Sequence, residues 1–224
     1  MTVIEPVRRD IEHPDQIKKN SASLRFWHWA NTIVISGSLI TVLINSTITN
    51  TRQVSSLIKD QVQKSGVSLT DAQARAGAHA LSDKVWDIHV YFGYCLAGLL
   101  LFRLLLEFFQ VADQKFIRKL KSAYTQYNVI KKNREIALHE LTVKIIYSIF
   151  YVLLIIQVIT GLCLAFEDIA FLKPYRHSIK NLHGFCMYLF LAFIVVHLAG
   201  VFLAERKDSQ GIVSDMINGG KEEI

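Results

Sequence analysis

The sequence predicts an all-α integral membrane protein, a four-helix up-down bundle, and two observations indicate this class. Hydrophobic residues make up 51% of the 224 residues and the mean hydropathy is +0.29, which are high values for a water-soluble domain. The excess lies in four apolar stretches, each long enough to cross the roughly 30 Å hydrocarbon core of a bilayer as a helix. The four predicted transmembrane helices span residues 24–45, 85–109, 141–166 and 183–204, and together they define one domain over residues 24–204.

The first predicted helix, 24–45, follows a polar N-terminal tail over residues 1–23. A cleaved signal peptide is not expected here, because the apolar stretch is too long and no small-residue cleavage pattern follows it. His28 lies in the first turns of this helix, between Trp27 and Trp29. Tryptophans at such a position are typical of the aromatic belt at a membrane interface.

The second predicted helix, 85–109, contains His89 near its start and Arg103 deep in the apolar run. We expect the Arg103 side chain to extend toward the inner membrane surface, where its guanidinium stays hydrated. An outer loop over residues 46–84 precedes this helix and is too long for a simple connection. Its Ala-rich stretch, 71–81, indicates that part of the loop forms helix on the membrane surface.

The third and fourth predicted helices complete the bundle. His139 borders the third helix, and the fourth contains both His183 and His197. An inner loop over residues 110–138 joins the second and third helices, and residues 205–224 form a C-terminal tail.

Basic residues predict the orientation of the bundle. Residues 1–25, 110–138 and 205–224 hold fifteen of the 25 Lys and Arg residues, whereas the segments on the opposite side of the membrane hold eight. Because positive residues favour the cytoplasmic side, we expect both termini and the inner loop to be cytoplasmic. A nucleic-acid partner is not expected in spite of the net charge of +6, since the basic residues do not line one amphipathic face.

Motif content excludes several classes of function. Cys95, Cys163 and Cys186 all lie within apolar stretches, and no CxxC or CxxCH sequence occurs. This argues against a disulfide framework, a zinc site and covalently attached c-type haem. The sequence also lacks a dinucleotide fingerprint, a P-loop and a nucleophile elbow, so no catalytic residue is predicted in it.

Histidines inside membrane helices are the strongest functional signal, because an unpaired imidazole is costly in hydrocarbon. His183 and His197 are 14 residues apart, which at about 100° per residue returns the helix to within about 40° of the same direction. The two side chains therefore share one face at depths about 21 Å apart. One helix of this kind offers an axial ligand to each of two b haems stacked across the bilayer.

The predicted topology selects the second ligand of each haem. The second and fourth helices begin outside the membrane, which places His89 at the depth of His183 and predicts an outer haem b between them. The first helix begins inside, which places His28 at the depth of His197 and predicts an inner haem b. His139 lies at the same inner depth and remains a rival ligand there.

Other side chains are candidates for contacts with haem or quinone. Arg25, Arg103 and His139 are candidates for bonding a haem propionate or a quinone, and for Arg103 this is the alternative to extension toward the surface. Glycines would allow a porphyrin to approach a helix closely, although ordinary helix packing explains any single glycine equally well. These glycines are Gly37, Gly93, Gly98, Gly161, Gly184 and Gly200.

Segments in all four predicted helices, and one in the tail, are similar to segments of one known family. They are Leu24-Arg25-Phe26-Trp27-His28-Trp29, Ile88-His89 with Gly93 and Arg103, Ile159-Thr160-Gly161, His183-Gly184 with His197, and the tail from Glu205 to Gly219. Through them the chain resembles the b-type cytochrome subunits of membrane-bound nickel-iron hydrogenases. The wider group includes formate dehydrogenase gamma subunits and bacterial cytochrome b561, and the tail favours the hydrogenase branch.

The resemblance implies a di-haem cytochrome b of the bacterial cytoplasmic (inner) membrane that transfers electrons from a nickel-iron hydrogenase to the quinone pool. The implied partners are the small and large hydrogenase subunits on the periplasmic side, a membrane quinone and the lipid bilayer, and a homo-oligomer of the complex is compatible with this. The outer loop, 46–84, is then expected to dock the hydrogenase. Glu107 and His139 are candidates for quinone contact or proton supply.

Three alternatives remain open. The same haem scaffold would serve another quinone-linked dehydrogenase or reductase, such as one for formate or thiosulfate. A stand-alone cytochrome b561 would exchange electrons between quinone and a small oxidant. A membrane protein without haem would use the same histidines to handle protons or a metal ion.

Overall fold

The computed structural model describes residues 21–109, 116–125, 127–128, 134–166, 168–206 and 211–219. These residues form no β-strand, which confirms the all-α prediction. Seven α-helices lie in the described ranges: α1 (Ala22–Thr47), α2 (Thr51–Lys64), α3 (Asp71–Phe109), α4 (Phe116–Thr125), α5 (Arg134–Ala165), α6 (Arg176–Arg206) and α7 (Ile212–Asn218). A short 3-10 helix, Lys173–Tyr175, leads directly into α6.

Four segments are long and apolar enough to cross a membrane, as the sequence predicts. They are Ala22–Thr47, Asp71–Phe109, Leu141–Ala165 and Lys173–Arg206, which correspond to α1, α3, α5 and α6. Large apolar side chains such as Ile33, Leu104 and Val195 are exposed on these segments. Exposed apolar side chains are expected where a helix contacts lipid, since hydrocarbon takes the place of water there.

The helices extend beyond the predicted limits, and α3 shows the largest difference. It begins at Asp71, whereas the predicted helix begins at residue 85. At 1.5 Å per residue its 39 residues measure about 58 Å, roughly twice the thickness of the hydrocarbon core. The predicted helix starts at residue 85 because the apolar run starts there, but the Ala-rich polar stretch before residue 85 also favours helix. α5 and α6 likewise begin about two turns earlier than predicted.

The outer loop, 46–84, is helical where the Ala-rich stretch 71–81 predicts helix, and that stretch forms the start of α3. A second helix, α2, forms a hairpin with it. The expected position on the membrane surface stays a prediction. We call residues 51–84 the outer hairpin: α2 runs antiparallel to the first part of α3. It ends at Lys64, and Gly66, two residues later, has a left-handed φ of 82° in the turn. Lys59 of α2 donates to the carboxylate of Asp71 at 2.6 Å across the hairpin. Because α2 packs along the extension of α3, the outer hairpin projects along the axis of that helix.

The bundle core lies between the four spans and is filled by apolar side chains. The buried residues that form it are Trp27, Leu96, Leu100, Leu153, Leu154, Val158, Cys186 and Phe190. Gly37 of α1 also serves helix packing, since a Cβ there would collide with the ring of Phe92 on α3. This position is therefore occupied by a neighbouring side chain and offers no approach to a cofactor.

The C-terminal helix α7 folds back against α1. Glu205, near the end of α6, accepts backbone N–H bonds from Gly211 at 2.8 Å and Val213 at 3.3 Å, so its carboxylate occupies the N-terminus of α7. Trp29 of α1 donates its indole N–H to the carbonyl of Met216 at 3.2 Å. These contacts tie the tail to the N-terminal end of α1.

Candidate functional site

Four membrane histidines lie in two pairs. The ring centres of His89 on α3 and His183 on α6 are 6.3 Å apart, and those of His28 on α1 and His197 on α6 are also 6.3 Å apart. These are the two combinations that the sequence analysis assigns to the outer and inner haems. Two imidazoles that bind one metal ion from opposite sides, each at about 2 Å, have ring centres about 6 Å apart. The spacing of both pairs therefore suits a shared metal ion.

The ring of His89 is oriented by α1. Its Nδ1 atom lies 2.9 Å from Oγ1 of Thr41 and 3.3 Å from the carbonyl oxygen of Ser38. The Thr41 hydroxyl gives its single proton to the Ser38 carbonyl at 2.6 Å, so its oxygen accepts the Nδ1 proton of His89. Nε2 of His89 then carries the lone pair that a metal ion requires.

The ring of His183 is oriented in the same way by α5. Its Nδ1 atom lies 2.9 Å from Oγ1 of Thr160, whose hydroxyl proton is donated to the Ile156 carbonyl at 2.7 Å. The Thr160 oxygen therefore accepts the Nδ1 proton, and the lone pair lies on Nε2. The side-chain amide of Gln157 donates to this lone pair at 3.1 Å.

Gly161 allows α5 to approach the outer pair closely. A Cβ at this position would lie 3.2 Å from Cε1 of His183, which is tighter than ordinary van der Waals contact. Two adjacent residues of α5 thus serve the same ring, because Thr160 supplies the hydrogen-bond acceptor and Gly161 supplies the space.

The inner pair is surrounded by aromatic rings. The ring of His197 stacks on that of Phe193, with centres 5.7 Å apart and planes inclined by 7°, and the ring of Tyr147 lies 6.3 Å away. Nδ1 of His28 is buried and has no hydrogen-bond partner among the described residues. A buried polar atom without a partner is destabilising by about 1–3 kcal/mol, so it marks a place where a bound group would complete the site.

The donor set fits haem better than a bare metal ion. Within the described ranges, no group of three or more His, Cys, Asp or Glu side chains could hold a metal ion. Zinc sites use three or four protein ligands. Haem iron already has four porphyrin nitrogens and takes only one or two ligands from the protein. Two imidazoles from different helices therefore fit what a six-coordinate haem iron would need from the protein.

α6 contributes one histidine to each pair. His183 and His197, 14 residues apart, lie about 21 Å from each other along the helix axis. Phe190 stands halfway between them and belongs to the apolar core. The two pairs are therefore at different depths in the bundle, with packed apolar side chains between them.

Arg103 is buried in the bundle and does not extend to the membrane surface, so the expected orientation of this side chain is wrong. Only 6% of the residue is exposed. Its guanidinium donates to the hydroxyl of Tyr151 at 3.0 Å and to the carboxylate of Glu107 at 3.2 Å, and it lies 5.9 Å from the ring centre of Trp27. These partners compensate the positive charge inside the bundle, as water would otherwise do at the surface.

Arg25 connects α1 to α7. Its guanidinium donates to the carbonyl of Ile217, beside the bond from Trp29 to Met216. An apolar groove of about 470 Å³ opens here and is lined by Ala22, Arg25, Phe26, Trp29, Ala30, Ile33 and Ile217. The side chain of His139, the other candidate at this depth, lies outside the described part of the chain.

Sequence reasoning missed three residues that hold the outer histidines, namely Thr41, Thr160 and Gln157. Threonine in a helix commonly bonds its own backbone, so a hydroxyl that also meets a histidine of another helix has no distinct sequence pattern. One signal was present, since Thr160 belongs to the Ile159-Thr160-Gly161 segment that contributes to the family resemblance.

Comparison with known proteins assigns a family to the chain. The profile of the prokaryotic cytochrome b561 family, whose label refers to nickel hydrogenase cytochrome b, matches residues 20–219 of the 224. No curated protein and no solved structure gave a significant match. A family of this kind implies haem b binding in a prokaryotic membrane. The chain, with its four apolar spans, therefore belongs to the prokaryotic cytochrome b561 family and is a membrane-bound b-type cytochrome of electron transfer.

Proposed function

We propose that the protein is a di-haem cytochrome b that transfers electrons across the membrane from a periplasmic nickel-iron hydrogenase to the quinone pool. The observation that carries this proposal is the presence of two histidine pairs, each with ring centres 6.3 Å apart, to which α6 supplies one histidine each. A haem b bound at either pair supplies reversible one-electron exchange at its iron. In this proposal the chain itself activates no hydrogen.

The four histidines are the axial ligands in this proposal. His89 and His183 would hold the outer haem iron through Nε2, because their Nδ1 atoms bond the two threonines. At His183 the iron would take the place of the Gln157 amide on Nε2. His28 and His197 hold the inner haem iron, and the stacked ring of Phe193 restrains His197. Each haem would thus join two helices, α3 with α6 at the outer site and α1 with α6 at the inner site.

The protein separates the two histidine pairs and excludes water from the region between them. The separation of about 21 Å along α6 is a large part of the roughly 30 Å hydrocarbon core, so each pair lies nearer to one membrane surface. Leu154, which is fully buried, and Phe190 help to fill the space between the pairs. Close packing of apolar side chains excludes water and ions from this region, so that electrons cross without a leak of protons.

The choice of hydrogenase as electron donor is supported by sequence and by the outer hairpin. The family label refers to nickel hydrogenase cytochrome b, and the tail 205–219 resembles the hydrogenase branch. The outer hairpin extends beyond the length needed for a span and exposes Leu57 and Val67. Exposed apolar side chains outside a membrane are typical of an interface with another protein. We infer that this hairpin docks the hydrogenase.

The quinone would accept electrons near the inner pair. The apolar groove beside α1 has a volume of about 470 Å³, which is within the range of small-molecule sites. Arg25 and Trp29 line this groove and flank His28 in the sequence. Arg25 would thus place a cation beside the quinone ring. His139 and Glu107 are the proposed proton donors, since reduction of a quinone consumes protons.

Purification from the native membrane tests the proposal. Protein extracted in mild detergent should contain two b haems per chain and retain the small and large hydrogenase subunits. Hydrogen should then reduce the haems, and added quinone should reoxidise them. If well-folded protein lacks the dithionite-reduced absorption bands of b haem, the haem assignment is refuted. Co-purification with a formate or thiosulfate enzyme, or as a single subunit, would refute only the hydrogenase partner.

A further inference from the structure

We propose that Thr41 and Thr160 lower the reduction potential of the outer haem site relative to the inner one, and so set the direction of electron flow. This rests on the proposed function, because it requires a haem at each histidine pair. The observation behind it is a difference between the pairs. Nδ1 of each outer ring lies 2.9 Å from a threonine hydroxyl, and neither inner ring has such a contact within the described residues.

Both threonines act as acceptors toward the histidines. Each hydroxyl donates its one proton to a carbonyl of its own helix, Thr41 to Ser38 at 2.6 Å and Thr160 to Ile156 at 2.7 Å. The distance from each Oγ1 to the facing histidine Nδ1 is 2.9 Å. Because a hydroxyl has no second proton to give, the shared proton belongs to Nδ1. The two outer rings therefore have the same tautomer, with Nε2 unprotonated.

The hydrogen bond from Nδ1 changes how strongly the imidazole ring donates electrons to a bound metal ion. An imidazole that donates its Nδ1 proton becomes more electron-rich and more basic at Nε2. A more basic ligand stabilises ferric iron more than ferrous iron, because ferric iron carries the greater charge, and the reduction potential falls. Thr41 and Thr160 are both buried, and hydrogen bonds in such surroundings are stronger than in water.

Among the residues that the structure describes, no hydrogen-bond acceptor lies beside Nδ1 of either histidine of the inner pair. Nδ1 of His28 is buried without a hydrogen-bond partner. The described neighbours of His197 include the rings of Phe193 and Tyr147, which contact it by stacking or edge contact. The inner imidazoles are therefore weaker donors toward a bound iron than the outer ones, and the inner site has the higher potential.

The difference gives the electron a direction. With haem bound at both pairs, an electron that left the outer site for the inner site would move to a higher potential, and no proton would pass between the two. In the proposed topology this is movement from the periplasmic side toward the quinone near the cytoplasmic side. Thr41 and Thr160 are thus positioning residues, which act on the haem through His89 and His183.

Redox titration of the purified two-haem protein tests the inference. Thr160→Val removes the acceptor and keeps the shape of the side chain. We expect the ratio of reduced to oxidised outer haem at a given potential to change about tenfold in favour of reduction, a rise of about 59 mV for a one-electron couple. The inner site should not change. Thr41→Val should act in the same direction, and Thr160→Ser, which keeps the hydroxyl, should titrate like the natural protein.

Thr142→Val is the matched control. Thr142 lies on the same helix and bonds the Leu138 carbonyl at 2.8 Å, but its hydroxyl is exposed and bonds no histidine in the described structure. This variant should leave both potentials unchanged. If Thr160→Val and Thr41→Val each bind two haems and titrate like the natural protein, the inference is overturned while the di-haem function stands. Absence of haem from the natural protein would instead refute the proposed function.

A second measurement does not depend on the threonine variants. His89→Ala should lose the outer haem, so that the remaining haem reports the inner potential. We expect this haem to titrate at the higher of the two potentials found in the natural protein. If it titrates at the lower potential, the assignment of the low-potential site to the outer pair is wrong, whatever the valine variants show.

Discussion

At the scale of single residues, the outer site depends on which ring nitrogen each histidine leaves free. The sequence indicates four histidines at two depths but not their tautomers. Hydrogen bonds from the rings of His89 and His183 to Thr41 and Thr160 assign the proton to Nδ1, so that the lone pair for coordination lies on Nε2. A histidine that holds a metal ion is commonly oriented by such a partner, and loss of the partner weakens metal binding.

The ligand pairing predicts which haem each histidine variant loses. His89→Ala or His183→Ala should remove the outer haem and leave the inner one, whereas His28→Ala or His197→Ala should do the reverse, because each variant removes one of two axial ligands. Haem content per chain and the reduced absorption spectrum measure the outcome. If His139→Ala abolishes the inner haem and His28→Ala does not, the inner pairing is wrong.

Gly161 predicts a steric effect on the outer site. Gly161→Val places a branched side chain where even a Cβ would lie 3.2 Å from His183, so the ring must move away from its position. We expect outer haem affinity to fall about 10- to 100-fold, the range found when the surroundings of a metal-binding histidine are disturbed.

Gly77→Ala is the control for the Gly161 variant. A Cβ at Gly77 would meet only the side chain of Ile58, at an ordinary contact distance of 3.6 Å. This change should keep both haems and favour the helix slightly, since alanine is the better helix former. Equal haem retention in both variants would show that His183 tolerates a side chain at position 161.

Arg103 shows how far a single residue can depart from its sequence-based expectation. A cation in an apolar run is expected to reach for water, but here Glu107, Tyr151 and Trp27 surround it inside the bundle. A charge placed in this way is tolerated because its partners offset the loss of hydration. The orientation of Arg103 therefore depends on Trp27 and Tyr151, which α1 and α5 place at the same depth.

At the scale of elements, α3 links the membrane bundle to the outer hairpin. This helix is continuous from Asp71 to Phe109 and contains both one arm of the outer hairpin and His89. α7 has a comparable place at the other end of the bundle, where Glu205 caps it and Trp29 and Arg25 hold it against α1. The segments outside the spans are thus joined directly to helices that contain the paired histidines.

The outer hairpin predicts a defect in partner binding that leaves the haems intact. Leu57→Glu introduces a charge on an exposed apolar side chain of α2. We expect hydrogenase binding to weaken about tenfold, which corresponds to about 1.4 kcal/mol, because a charge at an apolar contact remains poorly hydrated. Co-purification of the hydrogenase subunits and haem content measure the two effects. Gln53→Glu adds the same charge at an exposed polar position on the same helix and should retain the hydrogenase. Equal loss of the hydrogenase in both variants would show that the added charge, and not the apolar contact of Leu57, weakens binding.

At the scale of the whole molecule, the two histidine pairs give the bundle a direction across the membrane. They share α6 and lie at different depths, and the apolar core separates them. In the proposed topology, which rests on the bias of Lys and Arg residues, the termini are cytoplasmic and the pair at His89 and His183 faces the periplasm.

Thiol labelling checks this orientation. Ser65→Cys lies at the tip of the outer hairpin and Ser214→Cys lies on α7, and both positions are exposed. A membrane-impermeant thiol reagent should label Ser65→Cys in cells with a permeabilised outer membrane and Ser214→Cys in inverted vesicles. The three natural cysteines lie within the spans, so the chain without an added cysteine is the control. Labelling of Ser214→Cys from the periplasmic side would reverse the proposed topology.

The sequence by itself determined the four spans and the two depths of the histidines. Hydropathy and a spacing of 14 residues are local properties, which a regular helix converts directly into length and direction. The pairing of His89 with His183 and of His28 with His197 also followed from topology, because the alternating direction of successive spans fixes the depth of each histidine, and histidines of equal depth can meet.

Only the tertiary structure decided the surroundings of those histidines. The Thr41 and Thr160 bonds, the burial of Arg103, the course of the outer hairpin and the position of α7 on α1 all join residues that are distant in sequence. Such contacts depend on the rotation of one helix relative to the next. Hydrophobic pattern does not specify that rotation closely in a membrane, where lipid and protein interior are equally apolar.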